Sequence, residues 1–261
     1  MLPLAAQGLL AALVLALPAW GLSLRLRDAS LADRIWSLLI AAPVLVYALA
    51  LPPGARGLLM LGLLLAWALR LALYIHGRNR GHGEDRRYRA MRERHGPGFG
   101  LKSLYLVFGL QAVLAWVVGW PLLAALSHPA PLGLLDLIGA FIALAGITIE
   151  ALADAQLARF LRGPRREGAV MDQGLWAWSR HPNYFGEACV WWGLGLMACA
   201  AGGWATAWSL ISPLMMTLLL LKVSGVALLE QDIAQRRPAY RDYMDRTSAF
   251  IPWPPRRGVR S

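Results

Sequence analysis

Leu58-Leu59-Met60-Leu61-Gly62-Leu63-Leu64-Leu65-Ala66-Trp67-Ala68-Leu69-Arg70-Leu71-Ala72-Leu73-Tyr74-Ile75 decides the fold. It is apolar on every side, with Arg70 as its single charge. A helix needs about 20 such residues, at about 1.5 Å each, to cross roughly 30 Å of hydrocarbon. Six further runs approach that length: Leu9 to Leu22, Ile35 to Leu51, Leu104 to Leu126, Leu132 to Leu152, Tyr184 to Ala201 and Trp204 to Leu229. A soluble helix keeps one polar face, and most of these runs have none. The composition agrees: 57% of residues are apolar and only 16% charged, against about 25% in an ordinary soluble domain. The chain reads as one all-helical, polytopic membrane domain with seven spans.

The first run resembles a signal peptide only in its hydropathy. The chain opens Met1-Leu2-Pro3-Leu4 without a basic region, and no small-x-small cleavage site follows, so a retained span is expected. Cys189 and Cys199 are ten residues apart in one run. On a helix that separates them by about 15 Å, too far for a disulfide. Without a CxxC or Cys/His cluster, no metal site is expected.

The net charge of +11 suits either nucleic acid or a membrane with asymmetric loops, and the placement of the charges decides. Of 26 Lys and Arg residues, 24 fall in alternate connections: Arg25 to Arg34, Arg78 to Lys102, Arg159 to Arg180, and Lys222 onward. Arg56 alone lies in the other set, and Arg70 lies inside a span. The positive-inside rule puts the N-terminus out and the C-terminus in the cytoplasm. Membrane asymmetry accounts for the charge, so no nucleic-acid partner is expected. The outer connections, such as Leu51-Pro52-Pro53-Gly54, are minimal. Segments 77–103, 161–182 and 230–261 form the expected cytoplasmic loops and tail, and function is expected on that side.

Ionisable groups inside spans are costly and usually functional or paired. Arg70 has Trp67 and Tyr74 about one turn to either side. Glu150 and Asp154 share a helix face, and Glu187 follows Asn183 by four residues. Lys222 and Glu230 flank the inner end of the last span. Three or more carboxylates against one buried arginine point to a polar cavity open to the cytoplasm. The stretch Gly77-Arg78-Asn79-Arg80-Gly81-His82-Gly83-Glu84-Asp85-Arg86-Arg87-Tyr88 sets glycines among guanidiniums, whose forks suit phosphate oxygens. No GxGxxG follows a strand, and neither a Walker loop nor HExxH is present.

The longest local signature is Gly174-Leu175-Trp176-Ala177-Trp178-Ser179-Arg180-His181-Pro182-Asn183-Tyr184-Phe185-Gly186-Glu187. Pro182 favours a first helical turn, and Arg180, His181 and Asn183 cluster at that N-terminus, a ready anion site. This stretch resembles the steroid 5-alpha-reductase-like membrane family, in its bacterial branch long described as a domain of unknown function. More distantly it resembles sterol reductases and isoprenylcysteine carboxyl methyltransferases. Asp33-Arg34-Ile35-Trp36, Trp67 to Arg80, Gly83-Glu84-Asp85, Gly146 to Glu150, Asp154 to Phe160, Ser224 to Glu230 and Tyr240 to Trp253 extend the likeness over about residues 30 to 257.

The resemblance implies a seven-helix bundle of a bacterial inner membrane that holds NADPH and admits a hydrophobic substrate from the bilayer. Arg70, Tyr74, Asn79 and Arg80 resemble cofactor-contacting positions, with Arg78 beside them. Asp154 resembles an adenine- or ribose-side acid, and Asn183 and Glu187 belong to the shared HPNYxGE element. Arg162, Arg180, His181, Glu230, Arg236 and Tyr240 complete the expected cofactor set. Steroid-reducing members carry a Gln-Glu pair after the second span and a Tyr in the third. Here those places read Leu51-Pro52-Pro53-Gly54 and Trp67, so either Glu150, Tyr184 or Glu187 serves as the acid or the substrate is not a 3-oxo-steroid.

The expected activity is NADPH-dependent reduction of a carbon–carbon double bond in a steroid-, isoprenoid- or fatty-acyl-like lipid. The alternatives are an S-adenosylmethionine-dependent lipid methyltransferase, or a lipid- or cofactor-binding membrane protein without catalysis.

Overall fold

A computed structural model describes residues 1–163, 169–223, 225, 226, 230, 233 and 238–255. Every regular element among the described residues is helical. Among the described residues six helices are long and apolar enough to cross a membrane, which makes this a multi-pass membrane protein. The expected seventh span is shorter: Ala207–Val223, followed by residues that lie partly outside the described set.

The chain divides into two compact units. The first comprises Met1–Leu137 and Gly195–Ser212. Its elements are α1 (Leu2–Leu26), α2 (Leu31–Ala50), α3 (Ala55–Asn79), α4 (Arg86–His95), α5 (Phe99–Ser103), α6 (Leu110–Val118) and α7 (Trp120–Leu126). Helix α1 begins earlier than the apolar run suggests because Pro3 suits a first helical turn. It ends at Arg27, in the left-handed region at φ 52°.

Helix α2 is the hub of this unit and packs on α1, α3, α6 and α7. Leu39, Ile40, Val44 and Tyr47 are wholly buried along it. The Tyr47 ring fills the slot left at Gly8, where a Cβ would lie 2.5 Å from Tyr47 Cε1. Polar ties between helices replace the hydrophobic drive that lipid removes. Ser37 Oγ donates to Ala68 O at 2.8 Å, Trp116 Nε1 to Ala5 O at 2.8 Å and Trp20 Nε1 to Gly100 O at 3.0 Å.

The segment 77–103, expected as a loop, is largely helical: it carries α4 and α5 and runs into a π-turn at Leu104–Gly109. The sequence alone did not reveal α4 because ten residues with five arginines show no apolar run.

The second unit comprises Ile138–Leu194 and Pro213–Ser261. Its described parts are most of α8 (Leu134–Arg162), most of α9 (Pro182–Gly202), α10 (Ile211–Leu218), a π-turn at Leu219–Val223, and α11 (Ala239–Arg246). At 29 residues, α8 is about 43 Å long, so one end outruns the hydrocarbon. That end carries Asp154, Arg159 and Arg162. The segment 161–182 is also partly helical, with a short turn at Gly174–Ala177.

Candidate functional site

The meeting of α8 and α9 builds the polar site of the second unit. A Cβ on Gly146 would lie 2.5 Å from Gly186 O, and one on Gly193 would lie 2.4 Å from Gly139 O. One on Gly186 would lie 2.7 Å from Glu150 N. The two backbones therefore touch, antiparallel, as small residues allow in membrane helices. This register sets Gly186 against Glu150, puts Glu187 next in line, and brings Asn183 to Asp154. Glu150, Asp154 and Glu187 are all buried. Asn183 Nδ2 donates to Asp154 Oδ1 at 3.2 Å. Asn183 Oδ1 is buried and receives no hydrogen bond among the described residues. An orphaned acceptor in a buried polar cluster calls for a further donor.

Beside this cluster the C-terminal segment is fastened to the start of α9. The Arg180 guanidinium forks onto Glu230, Nε to Oε1 at 2.7 Å and Nη2 to Oε2 at 2.8 Å. Its Nη1 donates to Met244 O and Thr247 O, both at 2.7 Å. Four of five N–H donors are thus used inside the chain. His181 Nε2 lies 2.9 Å from Glu230 Oε1, and the imidazole stacks on Tyr184 at 5.4 Å. Arg180 N donates to Ser248 O, and Ser179 Oγ donates to Phe250 O. Tyr243 Oη donates to Trp176 O at 2.5 Å. Arg246 pairs with Asp172. Burial pushes the Glu230 carboxyl up, but His181 and the Arg180 fork outweigh it and hold the group below its ordinary range.

Arg180 and Glu230, expected as ligand contacts, therefore spend their polar atoms on each other and on the C-terminal segment. Gly174, at φ 60°, is a second fastening point. A Cβ there would strike Gln156, whose Oε1 accepts Leu175 N at 3.0 Å. Trp176 Nε1 donates to Ala153 O at 3.0 Å. Tyr240 packs edge-on to Tyr243, Arg159 and Arg162 are exposed, and Arg236 lies outside the described residues.

In the first unit, Arg70 and Tyr74 are half-buried on α3. Arg78 and Arg80 are exposed near its end, and the Arg78 guanidinium lies 5.7 Å from the Tyr74 ring centre. Arg78 Nε donates to Asn79 Oδ1 at 3.1 Å. The glycine-rich stretch that follows is a turn, with Gly81 at φ 81° and Gly83 at φ 69°. Its acidic and later basic residues are used internally. Glu84 accepts Ala29 N at 2.9 Å and both Arg92 Nε and Nη2. Asp33 accepts Arg87 and Tyr88 Oη, each at 2.6 Å. Burial raises the Glu84 carboxyl, yet the Arg92 and Ala29 bonds bring it net below its ordinary range. With Asp85 N donating to Ser30 Oγ at 2.6 Å, Asp33 and Glu84 thus staple the start of α4 to the first turn of α2 and the residues before it.

The sequence reading passed over one pair. Arg56, the lone cation of the arginine-poor connections, forks onto Asp136 at 2.6 and 2.8 Å and also donates to Ala130 O and Pro131 O. The side chains are 5% and 0% exposed. A single cation and a single acid at the same end of the spans were the available signal, since buried opposite charges pair. No group of His, Cys, Asp and Glu among the described residues could hold a metal.

Residues 19–247 match the family described as "Protein of unknown function (DUF1295)". An uncharacterized protein of Schizosaccharomyces pombe is 26% identical over 275 residues, covering 94% of this chain and 78% of that protein. No solved structure matches the chain.

Proposed function

The chain belongs to the DUF1295 family, and from the acid–amide cluster on α8 and α9 we propose that it is a membrane enzyme, an NADPH-dependent reductase of a carbon–carbon double bond in a hydrophobic lipid. The carrying observation is Asn183: its Nδ2 is committed to Asp154 and its buried Oδ1 awaits a donor. A carboxamide N–H, an adenine amino group or a ribose hydroxyl of the cofactor fits that acceptor, and Asp154 accepts a neighbouring hydroxyl. Arg159 and Arg162, exposed at the end of α8, supply cations for phosphate oxygens.

When bound, NADPH would supply the reducing equivalent. The chain's own tasks are orientation and proton delivery, for which Glu150, Tyr184 and Glu187 are the candidates, while the apolar spans admit the substrate from the bilayer. The arginine distribution supports seven crossings, Ala207–Val223 being the seventh, with the C-terminus and this site in the cytoplasm.

One observation favours a second reading. Three buried carboxylates, Glu150 and Asp154 on α8 and Glu187 on α9, suit a sulfonium cation, as in a methyltransferase using S-adenosylmethionine. Calorimetry of the intact protein with each cofactor separates the two. NADPH binding that Asn183→Ala weakens at least tenfold, with the melting temperature unchanged, supports the reductase. Binding of S-adenosylmethionine alone replaces it with the transferase.

A further inference from the structure

The C-terminal segment carries an aromatic patch that the site does not use. Its backbone is well tied: Trp253 N donates to Trp178 O at 2.9 Å, and Phe250 O accepts Ser179 Oγ at 2.8 Å. Phe250 turns inward onto Phe185, with ring centres 5.8 Å apart. Ile251, Trp253 and Trp178 turn outward, at 63%, 68% and 48% exposure. Large apolar side chains held outward on an ordered backbone mark a surface that something covers.

We propose that this patch is an interfacial anchor, seated among the headgroups of the bilayer the chain spans and strengthened by anionic lipid. Three observations select lipid as the occupant. Trp178 lies four residues before Pro182, where the membrane-length helix α9 begins, so the patch sits where a span leaves the hydrocarbon. Tryptophan, apolar with one N–H, is the side chain favoured at that depth. The sequence that follows the patch is complementary in charge to anionic headgroups. On α11, Arg241 and Arg246 are balanced by Asp242 and Asp245, but the sequence continues as Arg256-Arg257-Gly258-Val259-Arg260 with no acid. An apolar insert followed by a basic stretch is the two-signal arrangement that stable interfacial binding needs.

The anchor gives the clamp a purpose. The segment that Arg180 and Glu230 hold over the start of α9 also rests on the membrane, so lipid charge bears on the position of the site.

The test uses the full chain in nanodiscs, with Cys189 and Cys199 replaced by Ala and a spin label at Ile251→Cys or, as a control, Asp245→Cys. At position 251 the label collides with oxygen in preference to an aqueous nickel chelate; at 245 the preference reverses. Phosphatidylglycerol in place of phosphatidylcholine shifts the 251 label further toward oxygen, and Trp253→Gln moves it toward water. Arg256→Gln, Arg257→Gln and Arg260→Gln together abolish the phosphatidylglycerol dependence, because each cation near a negative surface is worth about fivefold in partition. A 251 label as water-accessible as the 245 label in both lipids overturns the proposal. So does a label sheltered from both reagents and broadened by a second copy, which makes the patch a protein interface.

Discussion

Arg56 and Arg180 are held alike at the two kinds of connection in this molecule. Each forks onto one carboxylate, Asp136 or Glu230, and each gives two further bonds to backbone carbonyls. The surroundings differ. Asp136 also accepts Gly133 N, so the Arg56 knot ties the turn at residues 130–136 to the start of α3, 74 to 80 residues away in sequence, and is sealed from water. The Arg180 knot joins residues 50 to 67 apart, shares its carboxylate with a histidine, and is about 10% exposed on both partners. The same fork serves once to tie a turn to a neighbouring helix and once to fasten the C-terminal segment beside a polar site. The first is sealed and the second stands closer to water, so the second is expected to release more readily.

The largest effect is expected at the sealed knot. Removing one partner leaves a buried charge unmatched, which costs about 3–5 kcal/mol. Arg56→Ala should therefore lower the melting temperature of the purified protein more than any other single change discussed, and Arg56→Met with Asp136→Leu should restore most of the loss. An Arg56→Ala protein that melts like the parent would show that the turn does not depend on the pair.

Next comes the releasable knot. Glu230→Gln strands the Arg180 guanidinium and should speed hydrogen exchange of the Arg180 and Thr247 amides by at least tenfold while the spans stay protected. Equal acceleration along α8 would mean that the clamp and the bundle unfold together, and the contrast between the two knots would fall.

Acid should do reversibly what Glu230→Gln does permanently. The folded-state carboxyl lies below its ordinary value, so its stabilising contribution is complete above an unfolded pKa of about 4.3. That contribution is lost as pH falls through the lower folded value. Exchange of the Arg180 and Thr247 amides, corrected for its intrinsic pH dependence, should be flat from pH 7 to about 5 and should rise below about 4. A rise that begins near pH 6 would show that the Glu230 carboxyl does not control the release.

These contrasts also mark what the sequence could tell. The spans were legible because apolar runs of membrane length have one physical explanation, whereas the close glycine contact of α8 and α9 emerged only from the fold. Helix α4 was not, since its five arginines mask a helix that Asp33 and Glu84 hold from outside its own sequence. Glu150, Asp154, Asn183 and Glu187 stood out as polar groups in apolar runs, and α8 and α9 do bring them together. The use of Arg180 was hidden for a different reason. An arginine at a helix start looks the same whether it meets a ligand's phosphate or a carboxylate 50 residues away, and only the fold says which.

The smallest effect is expected at Arg246, which makes the clamp's other ion pair, to Asp172. Its side chains are 42% and 30% exposed, so solvent screens the attraction and the pair is worth about 0–1 kcal/mol. Arg246→Gln should leave the melting temperature unchanged and raise exchange at Thr247 by less than about fivefold. The comparison matters because both pairs fasten the same segment to residues 172–181. If Arg246→Gln frees the segment as fully as Glu230→Gln, the clamp is a sum of weak surface contacts and Arg180 has no special hold on it. If it does not, the buried fork is the fastening. The segment's release then depends on the one carboxylate that both Arg180 and His181 address.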